Sequence, residues 1–269
     1  NKMKELMLKV QVTAVALALV FIAGNSYASP RPVGNSGTLA ELQGVFGGIG
    51  STIDAVNDQT EEDAFLPTGA GNASAAYVAT VSWNWEELEF GIYNLLDPSQ
   101  KVTLFNESVA NPGDSVSLKF DEGNDIVVSW DTSNPLAPPV LIDSSTYFSD
   151  FGFYAIANTP SEGYLYSQDF LNYGSYARML TYEGKGDLVS IGSVGTYPDI
   201  DHWYIAVEAG NYGTLDPTDV EGPQPGDYTD MVVQMESITP SDVVPEPASV
   251  LLFACTGAGI AFVRRRFIS

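Results

Sequence analysis

From residue 75 to residue 238 the apolar positions fall in short runs rich in Val, Ile, Tyr, Phe and Trp, divided by Gly, Pro, Asn and Asp. Such runs read as β-strands. They predict strands over Ala76–Trp85, Leu88–Tyr93, Val102–Asn106, Ser115–Phe120, Ile126–Trp130 and Phe151–Ala157. Further strands are expected over Tyr164–Ser167, Tyr176–Tyr182, Leu188–Ile191, Trp203–Ala209 and Asp230–Ile238. Many short strands at even spacing, with no helical run between them, predict an all-β domain of the β-sandwich or jelly-roll kind. Ahead of them, Thr38-Leu39-Ala40-Glu41 has the form of a capping box, and Leu39, Leu42, Phe46, Ile49 and Ile53 recur at helical spacing. A short N-terminal helix is expected there, weakened by Gly44, Gly47, Gly48 and Gly50. The acidic, turn-rich stretch Asp54–Asn72 reads as loop.

Two apolar runs outside this region have a different texture. Val10–Ala23 follows Lys2, Lys4 and Lys9 and precedes Ser26-Tyr27-Ala28, a small-residue exit before Ser29. A basic region, an apolar region and an A-x-A-like site make a signal peptide cleaved between Ala28 and Ser29, so export is expected. At the other end, Pro245-Glu246-Pro247 leads into the apolar run Ala248–Val263, followed by Arg264, Arg265 and Arg266. The prolines cannot continue a helix, so the triplet stands as an extended handle. The apolar run is shorter than the roughly 20 residues of a comfortable membrane span. In an exported chain its arginines remain on the cytoplasmic side, as the positive-inside rule prefers. The expected organisation is a signal peptide (1–28), a short helix and acidic loop (29–74), a β-sandwich domain (75–238), a linker carrying Pro-Glu-Pro (239–247), and the apolar segment with its arginines (248–269).

Pro-Glu-Pro, apolar segment and arginine cluster, in that order, resemble the PEP-CTERM sorting signal of Gram-negative bacteria. The resemblance implies processing by an exosortase-type enzyme, with the membrane engaged only transiently. It also implies delivery to the cell surface or to an exopolysaccharide-rich matrix or biofilm.

Charge sharpens this picture. Between Ser29 and Pro247 there are 33 acidic residues against five basic ones, Arg31, Lys101, Lys119, Arg178 and Lys185, a net charge of −28. Such a field repels nucleic acid and anionic lipid and attracts cations. The chain's one cysteine, Cys255, lies in the apolar tail, so the body has no disulfide and must hold together by its core or by a metal.

Within the body, Phe90-Gly91-Ile92-Tyr93, Lys101-Val102-Thr103-Leu104-Phe105, Phe151-Gly152-Phe153-Tyr154 and Met179-Leu180-Thr181-Tyr182 come in order. Trp203-Tyr204-Ile205-Ala206-Val207-Glu208 and Gly226-Asp227-Tyr228-Thr229-Asp230-Met231-Val232-Val233 close the series. Together they resemble a β-rich domain of unknown function that often precedes this sorting signal. The resemblance implies a fold and a destination, and no settled activity.

Glu208, Asp216, Asp219, Glu221, Asp227 and Asp230 crowd one loop between two apolar strands. Calcium takes six to eight oxygens of this kind, so a Ca²⁺ site is the sharper expectation and a solvated acidic loop the plainer one. Against the family pattern, Ala209 stands where an aspartate is usual, Pro225 replaces the first aspartate of Asp-x-Asp, and Thr229 replaces asparagine.

Other chemistry is sparse. His202 is the only histidine, which argues against a His-based triad or a multi-histidine metal site and suits a pairing role at a strand start. Glu86, Glu87 and Glu89 are the carboxylates a glycosidase would need, in a body where carboxylates are abundant. Trp83, Trp85, Trp130 and Trp203, with many tyrosines, suit either a sandwich core or a sugar-stacking platform. The sequence therefore predicts a secreted, non-enzymatic β-protein of surface or matrix. A carbohydrate-binding module, aided by calcium, is the alternative.

Overall fold

The computed structural model describes residues 39–68, 71–79, 89–106, 110–156, 163–172, 177–192, 194–208 and 228–241, all within one compact unit, Ser29–Val243. The signal peptide and its Ala28–Ser29 junction, Pro245–Pro247, the apolar tail and Arg264–Arg266 lie outside the described residues.

Among the described residues, the α-helix α1 (Ala40–Ile49) precedes the strands β1 (Gln59–Thr60), β2 (Phe65–Pro67), β3 (Asn72–Ala79), β4 (Glu89–Asn94), β5 (Asp97–Asn106), β6 (Ser115–Asp121), β7 (Ile126–Asp131) and β8 (Val140–Thr146). Then come β9 (Phe151–Ile156), β10 (Tyr164–Tyr166), β11 (Met179–Glu183), β12 (Leu188–Ile191), β13 (Gly195–Pro198), β14 (His202–Val207), β15 (Met231–Glu236) and β16 (Ile238–Pro240). The protein is thus mostly β, and among the described residues every ladder is antiparallel. The larger sheet runs β1-β11-β14-β15-β3-β6-β7-β8. The smaller runs β16-β2-β9-β4-β5, with β10 also on β9, and β12 pairs β13 separately.

Alternation of side chains across the pleat explains how the sheets pack. Tyr77, Trp203, Ile205, Val207, Met231, Val233 and Met235 of the larger sheet share one core with Phe65, Phe90, Ile92, Phe151 and Phe153 of the smaller. The intervening positions Ala76, Val78, Tyr182, Tyr204, Ala206 and Val232 point the other way, onto Leu42 and Phe46 of α1. Phe46 meets Tyr182 and Tyr204 edge-on, at 5.0 and 5.5 Å. Strands buried on both faces read as continuous apolar runs, as Trp203–Val207 and Met231–Met235 do.

Three features differ from the sequence reading. The helix has Leu39 at its N-cap with no side-chain cap, and ends at Gly50 (φ 90°), where the Ser51 amide bonds Phe46 O at 2.9 Å. Ile53 is therefore past the helix, although it is fully buried. The expected loop Asp54–Asn72 holds β1 and β2, and Phe65 of β2 lies in the central core. The strand expected over Asp230–Ile238 breaks at Ser237 (φ 61°), where the chain leaves the larger sheet and pairs with β2 in the smaller. Paired strands thus run from Gln59 to Pro240, beyond both limits of the 75–238 domain reading.

Candidate functional site

Of the six carboxylates expected to hold calcium, Glu208 and Asp230 are described; Asp216, Asp219, Glu221 and Asp227 lie outside the described residues. Glu208 follows β14 and Asp230 precedes β15, and the last ladder pair is Val207 with Met231. The two carboxylates therefore flank the same end of the hairpin, and both are buried. Glu208 Oε2 accepts the Tyr228 amide at 3.1 Å, while the Tyr228 hydroxyl donates to Ala177 O at 3.0 Å. Tyr228 itself takes φ 54°. At least one oxygen of Glu208 thus pins the returning chain. Among the described residues no three of His, Cys, Asp and Glu gather as a metal site.

A second cluster lies in a cleft of about 120 Å³ on the larger sheet, lined by Ser74, Tyr197, His202, Gln234 and Glu236 among others. The ladder sets His202 opposite Glu236, and Glu236 opposite Ser74. His202 Nδ1 donates to Ile200 O at 2.7 Å, and Nε2 faces Glu236 Oε2 at 3.3 Å. Ser74 Oγ donates to Glu236 Oε1 at 2.5 Å. Both ring nitrogens face acceptors, which suits the imidazolium. Burial pulls the His202 pKa down, but the Glu236 and Ile200 hydrogen bonds and the charges of Glu236 and Asp199 outweigh it and raise it. The order is serine, carboxylate, histidine, so the histidine is not placed to take a proton from the serine. Beside it, Tyr197 donates to Gln234 Oε1, Gln234 Nε2 donates to the Tyr204 hydroxyl, and Tyr204 donates to Asp199 Oδ2.

The third cluster is built on the outer face of the smaller sheet. Phe90-Gly91-Ile92-Tyr93 and Phe151-Gly152-Phe153-Tyr154 pair so that Gly91 opposes Tyr154 and Tyr93 opposes Gly152. The phenylalanines and Ile92 enter the core, and each tyrosine lies over the glycine of the other strand. A Cβ on Gly91 would stand 2.6 Å from the Tyr154 ring, and one on Gly152 the same distance from Tyr93. Tyr93 donates to Gln168 Oε1 at 2.8 Å, and Tyr154 donates to Glu89 Oε1 at 2.6 Å. Glu89 is therefore held by Tyr154, while Glu86 and Glu87 lie outside the described residues. Lys101 of β5 places Nζ 4.2 Å from the Tyr164 ring centre, 5.5 Å from Tyr166 and 5.8 Å from Tyr154. A cation over ring faces at this range is attracted by their quadrupoles.

Trp203, one of the four candidate platform tryptophans, is core: it is 6% exposed and meets Phe65 edge-on at 5.1 Å. Trp130 is half-buried, and Trp83 and Trp85 lie outside the described residues. The tyrosine–lysine cluster was not singled out as a site by sequence reasoning, although the repeated Phe-Gly-x-Tyr pattern was its visible signal. Compared with known protein families, curated proteins and solved structures, the chain matches none.

Proposed function

We propose that the protein is a secreted, non-enzymatic β-sandwich of the cell surface or extracellular matrix, delivered through a PEP-CTERM signal and stabilised by calcium. Two antiparallel sheets sharing one core support the sandwich reading. The observation that carries the structural role is the internal engagement of the polar groups singled out for chemistry. His202 faces Ile200 and Glu236, Glu89 holds Tyr154, and Glu208 holds Tyr228. Calcium would draw on Glu208 and Asp230 together with Asp216, Asp219, Glu221 and Asp227. The delivery reading rests on the order Pro245-Glu246-Pro247, Ala248–Val263, Arg264–Arg266. Its partners are an exosortase-type enzyme and exopolysaccharide, with no nucleic acid.

The test is the intact mass of protein recovered from outside the producing cells. The expected chain begins near Ser29 and lacks Arg264–Arg266. Finding those arginines on released protein overturns the sorting reading, as does normal release after Pro245, Glu246 and Pro247 are all replaced by alanine. A carbohydrate-binding module is the second reading, favoured by the exposed ring of Tyr164 beside Lys101. A purely structural protein gives no saturable binder on a glycan array.

A further inference from the structure

We propose that Lys101, Tyr164 and Tyr166 form a subsite for a neutral pyranose of an extracellular glycan, an inference that rests on the carbohydrate-binding reading and assigns its place. Cations are scarce in this body, and most of those described are neutralised. Lys119 pairs with Asp121, Lys185 pairs with Asp58, and Arg178 is buried. Lys101 is in no ion pair among the described residues, although the charges of Asp97 and Glu89 reach it. Its ammonium rests on tyrosine rings and donates to Pro98 O, which leaves donors to spare.

The aromatic partner is open. Tyr164 is 45% exposed at the edge strand β10, whereas most of the other described tyrosines are core. The surface beneath is rigid. Asn172 bonds both the amide and the carbonyl of Tyr166, each at 2.8 Å, and Ser167 ties the same segment to Phe153 and Asp63. The Tyr154–Gly91 and Tyr93–Gly152 contacts fix the floor. A flat ring that carries a hydrogen-bond donor over one face and belongs to a half-exposed residue matches a pyranose, which offers an apolar C–H face and a rim of hydroxyls. The net charge of −28 between Ser29 and Pro247 disfavours polyanionic glycans, so the expected ligand is neutral.

The experiment uses the exported protein on an array of neutral and uronate-containing oligosaccharides, followed by titration calorimetry with the best neutral binder. Wild type is expected to bind neutral glycans saturably. Tyr164→Ala should bind about tenfold more weakly, equivalent to about 1.4 kcal/mol, with an unchanged melting temperature. Lys101→Met should also weaken binding, and Lys101→Arg should retain part of it. Neutral binding untouched by Tyr164→Ala and Lys101→Met overturns the subsite and leaves the carbohydrate reading standing. Binding to uronates alone overturns the neutral class. Absence of any glycan bound by wild type overturns both.

Discussion

Gly152 lies directly beneath the Tyr93 ring, so that a single added methyl group would sit 2.6 Å from the ring and from its hydroxyl oxygen. The three nearest atoms all belong to that side chain. Gly152→Ala should therefore destabilise the domain by about 1–3 kcal/mol, the scale of an overpacked site. In a Tyr93→Leu background the added cost should vanish, because leucine ends short of those atoms. Gly91 differs: its Cβ would also stand 2.3 Å from the Val102 carbonyl oxygen. Gly91→Ala should stay costly even in a Tyr154→Leu background. Urea unfolding of the wild type, Gly152→Ala, Tyr93→Leu and the double variant forms the cycle, and equal costs of Gly152→Ala in both backgrounds would refute the contact.

Trp203 fills the space between the sheets. Trp203→Ala should cost about 3–5 kcal/mol, the usual range for emptying an aromatic site in a core. A platform residue would behave otherwise, losing glycan binding at constant stability. The denaturation midpoint of this variant separates the two.

The His202–Glu236 pair makes stability depend on pH in both directions. The His202 pKa is raised in the fold, so its contribution is complete below the ordinary value of 6.5 and is lost as pH climbs through the folded value. Glu236 is lowered, first by its hydrogen bond from His202 and further by Ser74, against a burial effect that raises it. Its contribution is present above 4.5 and is lost in acid. Because Glu236 is half exposed, the change should stay below about 1 kcal/mol. The urea midpoint should fall slightly as the pH rises above 6.5, and the His202→Gln variant should flatten that slope. The single imidazole can be followed directly by NMR; a pKa below the ordinary value would contradict the geometry.

Calcium should stabilise the domain beyond simple screening. Extracellular calcium sites have dissociation constants of about 10⁻⁴ to 10⁻³ M, so roughly 10 mM calcium adds about 1.4–2.7 kcal/mol. That corresponds to a rise in melting temperature of roughly 3–11 °C for a domain of this size. Asp227→Asn and Asp230→Asn should each remove most of it, and magnesium should do less. If sodium chloride at matched ionic strength does as well as calcium, the loop is a solvated acidic turn.

Strands whose local pattern already specifies a buried strand were legible in the sequence. The strands expected over Leu88–Tyr93, Ile126–Trp130, Phe151–Ala157 and Leu188–Ile191 coincide with β4, β7, β9 and β12 to within a residue at each end, because β-branched and aromatic runs bounded by turn residues favour strands. The acidity and the order of the terminal segments are likewise properties of the chain alone. Short segments that become strands only by pairing were not legible. Phe65–Pro67 sits among acids and ends in proline, yet β9 and β16 supply its ladder and the core buries Phe65. Val140–Thr146 is mostly exposed and follows two prolines, so only its register with β7 makes it a strand. Ser237 turns one apolar run into two strands in different sheets, a corner that no local periodicity records. The candidate sites divide in the same way. The acidic loop was visible as adjacent letters, whereas the contact of Lys101 with Tyr164 exists because β5, β4, β9 and β10 lie side by side. Chemistry assembled across a sheet is decided by register, and register is set by which face each strand can bury.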